Sequence, residues 1–572
     1  MIWQRIKRWM PALMMAGGIF VAAVAQPPRL AQPAKSTKTV KTVKKPKSPL
    51  LQPDTTPIRP TIPTANRNQP GRLFLEGADS LIANAMLPNA QVLVGNVKFR
   101  RGAMYMYCDS AIFYSSPTQQ TDSMEAYGNV RMQQGDTLFL YGDEMEYSGF
   151  MELATIYAEG NNMVRLINRD VKLTTQVLHY DVGIGLGYYD VGGTLTDPNN
   201  TLRSLEGEYI PSTKEANFYT NVKLDGRTNK GDTVLLFTDT LTYNTQSRTA
   251  YIVCPSKIIS RDGVILSSNG DYNTATNVGW LYDRSLVLTK RGNTLTGDTL
   301  YCDRTNGIGE AFGSMVLTDS TRQVTLEGDY GYYSESNDSS YCTGRARAME
   351  YSHPDTLYLH GRVIRSWSLP DSTHMMVAAP RVRFYRADVQ GICDSMTMVE
   401  ADSTLRMDIH PVVWTDQRQV FGNEIRIFFN DSTVDRMHLP DFGFAAEHLD
   451  EDLYNQLSGR EMMAYMLDGH LRQLDVNGSV QMVIFPQEND STFNKVANLE
   501  SSYLKATFAN DEIDRAKLWS ETSGTVTPLY LAKKSLYTLP KFKWYESLRP
   551  TSPESIFIIS DEMDKLMRSA GD

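Results

Sequence analysis

The chain has 572 residues, a formal charge of −9, and 41% hydrophobic against 22% charged residues, which excludes a disordered chain and a multi-span membrane protein. Residues 1–70 hold twelve Lys and Arg and one acid, leaving 45 basic against 65 acidic residues, a net −20, for the remainder. That sign is wrong for a surface that displaces counterions from phosphate, so no nucleic acid is expected as a partner. Thirty Tyr and twenty Phe against eight His favour half-buried pleated surfaces and leave little imidazole for acid-base or metal chemistry.

Residues 1–25 read as a signal peptide: a basic start (Arg5, Lys7, Arg8), an apolar run from Met10 to Val24, and Ala23-x-Ala25 at the cleavage site. An uncleaved anchor is the alternative, but the run is shorter than the ~20 residues of a span. Residues 26–70 are rich in Pro, Lys and Thr with no apolar periodicity, a disordered linker whose Lys35 to Lys47 cluster is a solvated tether or a contact for anionic lipid headgroups.

From residue 71 to 440 short segments alternate apolar and polar residues between Gly-Asn, Gly-Asp and Asn-Gly pairs read as turns, the pattern of β-strands. One phrase recurs, clearest in Leu140-Tyr141-Gly142-Asp143 followed by Tyr147. Its acid position falls at Asp109, Asp143, Gln176, Glu208, Asp239, Asp271, Asp303, Asp329, Arg362, Asp394 and Asn423 or Glu424, a period of about 32 broken by one short gap between Asp303 and Asp329. A second phrase lies between the markers, in Gly95-Asn96-Val97, Gly128-Asn129-Val130 and Gly313-Ser314-Met315. Thirty-two residues suffice for about four short strands across two facing sheets. Leu449, Leu453, Leu457 and Met462 to Met466 then suggest a helical insertion over 441–470, a last β repeat follows over 471–530, and a tail over 531–572 carries an amphipathic helix from Ile556 to Met567.

The repeated acids do not form a calcium ladder, because they recur once per 32 residues and not every nine; a turn-stabilising Asp fits better. Cys108, Cys302 and Cys393 occupy a small-residue slot before a marker acid and read as buried thiols, while a disulfide through Cys254 or Cys342 stays open. No metal-ligand spacing, nucleophile elbow or phosphate loop occurs, so neither enzyme activity nor a cofactor is expected.

Gly128-Asn129-Val130, Gly135-Asp136 and Gly142-Asp143 through Tyr147 give the chain a resemblance to the OstA-like/LptA family of periplasmic lipopolysaccharide-transport proteins, as a long member without a barrel. The resemblance implies an all-β, extended, two-sheet twisted β-jellyroll whose interior shields lipid A acyl chains. It also implies a periplasmic location, peripheral to the outer membrane, and as partners lipopolysaccharide, other jellyroll transport components joined by edge-strand addition, and an outer-membrane translocon. Under that reading Val97, Phe99, Val130, Met132, Leu138 and Leu140 line a lipid groove. The alternative is a structural or adhesive β-repeat protein of the cell envelope with a filled core, because both architectures demand the same alternation.

Overall fold

The computed structural model describes residues 72–568 apart from 84–88, 117–120, 291, 321–322, 335–338, 352–354, 371–372, 431–433, 468–469, 488–491 and 510–511. The expected signal peptide and linker lie outside the described residues. Every strand pairing within the described chain is antiparallel, and the ordered exceptions to strand are a few 3-10 turns and one helix, Asp561–Arg568. The chain divides into two compact units, an N-terminal one of residues 72–198 and 205–215 and a C-terminal one of 199–204 and 216–568.

The N-terminal unit begins with four long strands, Ala90–Arg101, Met104–Ser116, Thr121–Gln134 and Leu138–Ser148. Leu138–Ser148 shows how one sheet becomes two: its second half pairs with Leu153–Tyr157 and its first half with Val164–Asn168. One sheet continues through Val177–Asp181, Leu186–Tyr189 and Glu206–Ile210, and the other through Val171–Thr175 and Gly193–Thr196. Each strand buries alternate residues, so the two inner faces meet as an apolar core.

Two of the Gly-Asn pairs expected as turns, Gly95-Asn96 and Gly128-Asn129, are bulges inside continuous strands, whereas Gly160-Asn161 and Gly292-Asn293 do lie in connections between strands. Gly95 and Asn96, and Gly128 and Asn129, all have positive φ, and the ladder registers shift there. Two left-handed residues in succession bend the strand from one sheet towards the other, which a hairpin turn would not do. At Gly128 a Cβ would lie 2.6 Å from the Asp109 carboxylate, so the position is closed to other residues sterically as well as conformationally. Asn129 donates to that carboxylate at 2.7 Å, and Asn96 donates to Asp79 at 2.9 Å. Asp143 accepts from the Glu159 amide and the Asn162 side chain, which hold its carboxyl below the usual range. The repeated acid therefore clamps the bulge of a neighbouring strand. Asp298 fills this role beside Gly313, whereas Asp303 caps its own turn through Asn306. Replacing Asp303 by Asp298 in the series moves the short gap one repeat earlier, to between Asp271 and Asp298.

The C-terminal unit repeats the two-sheet plan. Arg347–Glu350, Leu357–His360, Val382–Arg386, Val389–Cys393, Val412–Thr415, Arg418–Gly422, Gly443–Asp450 and Leu453–Gly459 pair in succession in one sheet. His374–Ala379, Ser395–Val399, Thr404–Asp408, Glu424–Phe429, Val434–Leu439 and Glu461–Leu467 pair in the other. His470–Ile484 joins both, bending at Gly478 and Ser479.

The helical insertion expected over 441–470 is instead three strands, Gly443–Asp450, Leu453–Gly459 and Glu461–Leu467. A spacing of four puts two side chains on one face of a helix and equally on one face of a strand. Residue i+2 decides, and Ala464 shares the inward face with Met462 and Met466. The C-terminal helix is present but shorter than expected, spanning Asp561–Arg568 with Met563 and Met567 buried, while Ile556 lies in a separate 3-10 turn, Ser555–Phe557.

Candidate functional site

All six sequence-predicted groove residues lie inside the N-terminal unit, and none is more than 6% exposed. The ladder aligns Phe99, Met106, Met132, Leu140, Leu166, Leu173 and Leu195 directly opposite one another on successive strands. Val97 lies opposite Cys108, Val130 opposite Gly142, and Leu138 opposite Gln134 in the same sheet. Phe99, Met132 and Leu140 thus belong to one continuous inner row, and Val97, Val130 and Leu138 are buried beside it.

That row is closely covered from the facing sheet. Tyr180 and Tyr209 are fully buried, with their hydroxyls on Gln134 at 3.0 Å and Asn168 at 3.0 Å. Tyr189 lies against Gly193 and Gly207, where added Cβ atoms would be 2.4 and 2.5 Å from its ring or hydroxyl. A Cβ at Gly187 would lie 3.0 Å from Leu166 Cδ1. Burial pushes the Tyr180 hydroxyl up to about 12, which keeps it a neutral donor.

The C-terminal unit differs. Between its sheets lies a cavity of about 490 Å³, within the ~300–1,000 Å³ of small-molecule sites. One wall carries Val413, Val420, Ala445 and Leu457, which stand opposite one another in register. The other carries Leu405, Ile427, Met437, Ala464 and Leu474, again in register. Met396, Met407, Met462 and Met466 add flexible thioether side chains that conform to irregular apolar shapes. Asp388, Arg418 and Glu447 are the charged members, and Arg418 donates to Glu447 at 2.9 Å. Ile513, 65% exposed, also belongs to the lining, so the cavity reaches the surface near the strand Glu512–Trp519. Sequence reasoning missed this site because it read 441–470 as helix and sampled only the first repeats.

The sheet forming the first wall is buried on both faces. Behind it, Ile392, Val412, Trp414, Phe421 and Phe444 pack against Leu548, Met563 and Met567 of the tail. Tail backbone groups are received by side-chain amides on Arg418–Gly422 and Leu453–Gly459, the two strands that flank Gly443–Asp450 in the sheet. Gln419 donates to the Lys543 carbonyl and accepts from the Tyr545 amide, both at 2.8 Å. Gln456 donates to the Tyr537 carbonyl at 2.7 Å and accepts from the Leu539 amide at 2.8 Å. Both Gln side chains are thereby satisfied as donor and acceptor, and each bond contributes about 1 kcal/mol net. Arg381 pairs with Asp564 and fastens the helix.

All five Cys are free thiols. Burial pushes Cys108 and Cys342 up to about 12 and Cys302 up to about 11, so they behave as small apolar side chains. Among the described residues no three His, Cys, Asp or Glu side chains gather to hold a metal ion, and no helix is long and apolar enough to cross a membrane.

Residues 71–233 and 227–289 match the family described as OstA-like protein. A solved structure titled LptH, the LptA-homologous periplasmic component of the lipopolysaccharide transport device from Pseudomonas aeruginosa, is similar at 11% identity. The match covers 25% of this chain and 81% of that one at a TM-score of 0.15, which leaves the strand ladder itself to define the fold. No curated protein matches the chain.

Proposed function

We propose that this chain, OstA-like over residues 71–289, is a non-catalytic carrier of lipopolysaccharide that holds acyl chains in its apolar interior on the way to the outer membrane. The observation that carries the reading is the Met- and Leu-lined cavity between the sheets of the C-terminal unit. Each methylene moved from water into such a space gains ~0.8 kcal/mol, so a twelve-carbon chain gains roughly 9 kcal/mol. The six N-terminal positions, Val97, Phe99, Val130, Met132, Leu138 and Leu140, belong to the same proposal as interior that an acyl chain reaches when the sheets part.

In this reading the protein works in the periplasm, exported by its N-terminal segment, and meets other jellyroll components and an outer-membrane translocon. Edge-strand addition has a physical basis at Glu512–Trp519 and Ser523–Pro528, which pair on one side only among the described residues. The second reading, a structural or adhesive envelope protein with no lipid, draws support from the Tyr-filled interior of the N-terminal unit.

In-cell photo-crosslinking separates the two. A photoreactive residue is placed at Ile427 or Met437, at Val130 or Leu140, and at the outward Arg426. Lipopolysaccharide adducts are expected at Ile427 and Met437 and not at Arg426. An exported, folded protein without adducts at any inward position overturns the carrier reading in favour of the structural one.

A further inference from the structure

The two outer faces of the N-terminal unit carry opposite charge. On one, Glu125 stands directly opposite Glu146, and Tyr127 opposite Glu144. On the other, Lys98, Tyr107, Arg131, Tyr141 and Arg165 stand directly opposite one another on successive strands, alternating cation and phenol. Such a row of cations is unexpected in a body of net charge −20.

The rings hold the cations in place. Lys98 Nζ lies 4.7 Å from the centre of the Tyr105 ring and 5.8 Å from that of Tyr107; Arg131 Cζ lies 4.2 Å from Tyr107, and Arg165 Cζ 5.1 Å from Tyr141. Among the described residues no carboxylate is within ion-pair distance of Lys98, Arg131 or Arg165. In the C-terminal unit, by contrast, Arg347 is paired with Glu327, Arg418 with Glu447 and Arg426 with Glu424. A row of ring-fixed cations without carboxylate partners is prepared for an anion that the protein does not supply.

Spacing selects the anion. Neighbouring strands are ~4.8 Å apart, so the three cations recur about every 10 Å, roughly the length of two linked sugar rings. Phosphates along a nucleic acid strand are closer, ~3.4 Å of axial rise in a duplex. A bilayer surface would call for bulky apolar side chains to insert, but Tyr105, Tyr107, Phe139 and Tyr141 are all half-buried. We propose that this face binds an anionic polysaccharide carrying one acid group on about every second sugar, with Lys98, Arg131 and Arg165 taking the acid groups and the phenol hydroxyls of Tyr107 and Tyr141 meeting sugar hydroxyls. The site is independent of the lipid cavity and does not rest on the carrier reading.

The test uses the exported protein and hyaluronan oligosaccharides, which carry one carboxylate per disaccharide, as the probe in titration calorimetry. Neutral dextran, a single-stranded oligonucleotide and anionic phosphatidylglycerol vesicles serve as comparisons. Binding to the acidic glycan is expected, lost in high salt and weakened at least about tenfold in Lys98→Gln/Arg131→Gln/Arg165→Gln, with thermal melting unchanged. Should the triple variant fail to fold, the exposed single variant Arg165→Gln must still weaken binding severalfold. Equal or tighter binding of the oligonucleotide or the vesicles, no binding of the acidic glycan, or unchanged binding in the variants overturns the proposal. Acyl-chain adducts at Ile427 are read separately, so either idea can fail alone.

Discussion

The N-terminal and C-terminal units solve one problem in different ways. Both place rows of apolar side chains on two facing sheets. In the first, Tyr180, Tyr189 and Tyr209 close the space, and glycines at 193 and 207 make room for the Tyr189 ring. In the second, the facing rows are Val, Leu, Ile, Ala and Met, and about 490 Å³ stays open. A hollow wall forgoes dispersion contacts on one side. The C-terminal unit offsets that by burying the back of the same wall under its tail, around Trp414, Phe421 and Phe444. A cavity is therefore compatible with stability when the sheet around it is held from outside.

Truncation should sharpen this contrast most. Leu166→Ala in the closed interior is expected to cost ~3–5 kcal/mol, because the site cannot collapse around fixed Tyr rings. Leu474→Ala on the cavity wall should cost about 1 kcal/mol, since its side chain already lacks partners on one side. Chemical denaturation of the two variants measures both, and equal losses would mean that the units are packed alike.

A smaller effect is expected at the tail. Gln419→Ala removes both bonds to Lys543 and Tyr545 and leaves those backbone groups unpaired, a loss of about 2–3 kcal/mol. Limited proteolysis should then cleave first between residues 529 and 560. Cleavage unchanged from the parent chain would show that the apolar cluster alone holds the tail.

The smallest effect concerns pH. His360 is buried beside Phe557 of the tail, with Nδ1 2.6 Å from the Ala346 carbonyl. Burial holds its imidazole below the ordinary value, and the nearby Arg383 and Arg345 act in the same direction. The unfolded chain then binds the proton more readily than the folded one. Stability should be complete above the unfolded His value of ~6.5 and fall as pH drops from there towards the folded value. Thermal melts between pH 7.5 and 5 should show a drop that His360→Gln reduces; an identical drop in that variant would assign the effect to other groups.

Much of the fold could be read along the chain. The alternation around Val97, Phe99, Met132 and Leu140 identified true inner positions, and the period of about 32 followed the clamped bulges closely enough to be recognised. The OstA-like phrases lie within residues 71–289, where the family match falls. Two readings failed for local reasons. Gly-Asn pairs have the same backbone requirement in a turn and in a bulge, and Leu or Met at a spacing of four fits a helix or a strand.

What the sequence determined by itself was therefore the β-character of residues 71–440, the inward faces of the early strands and the repeated acid, because each depends on near neighbours and on a period of two. The tertiary structure alone decided which interior is filled and which is hollow, and that Gln419 and Gln456 receive a tail more than 80 residues further along. Those outcomes depend on which side chains meet across two sheets, and the alternation along one strand carries no record of what faces it.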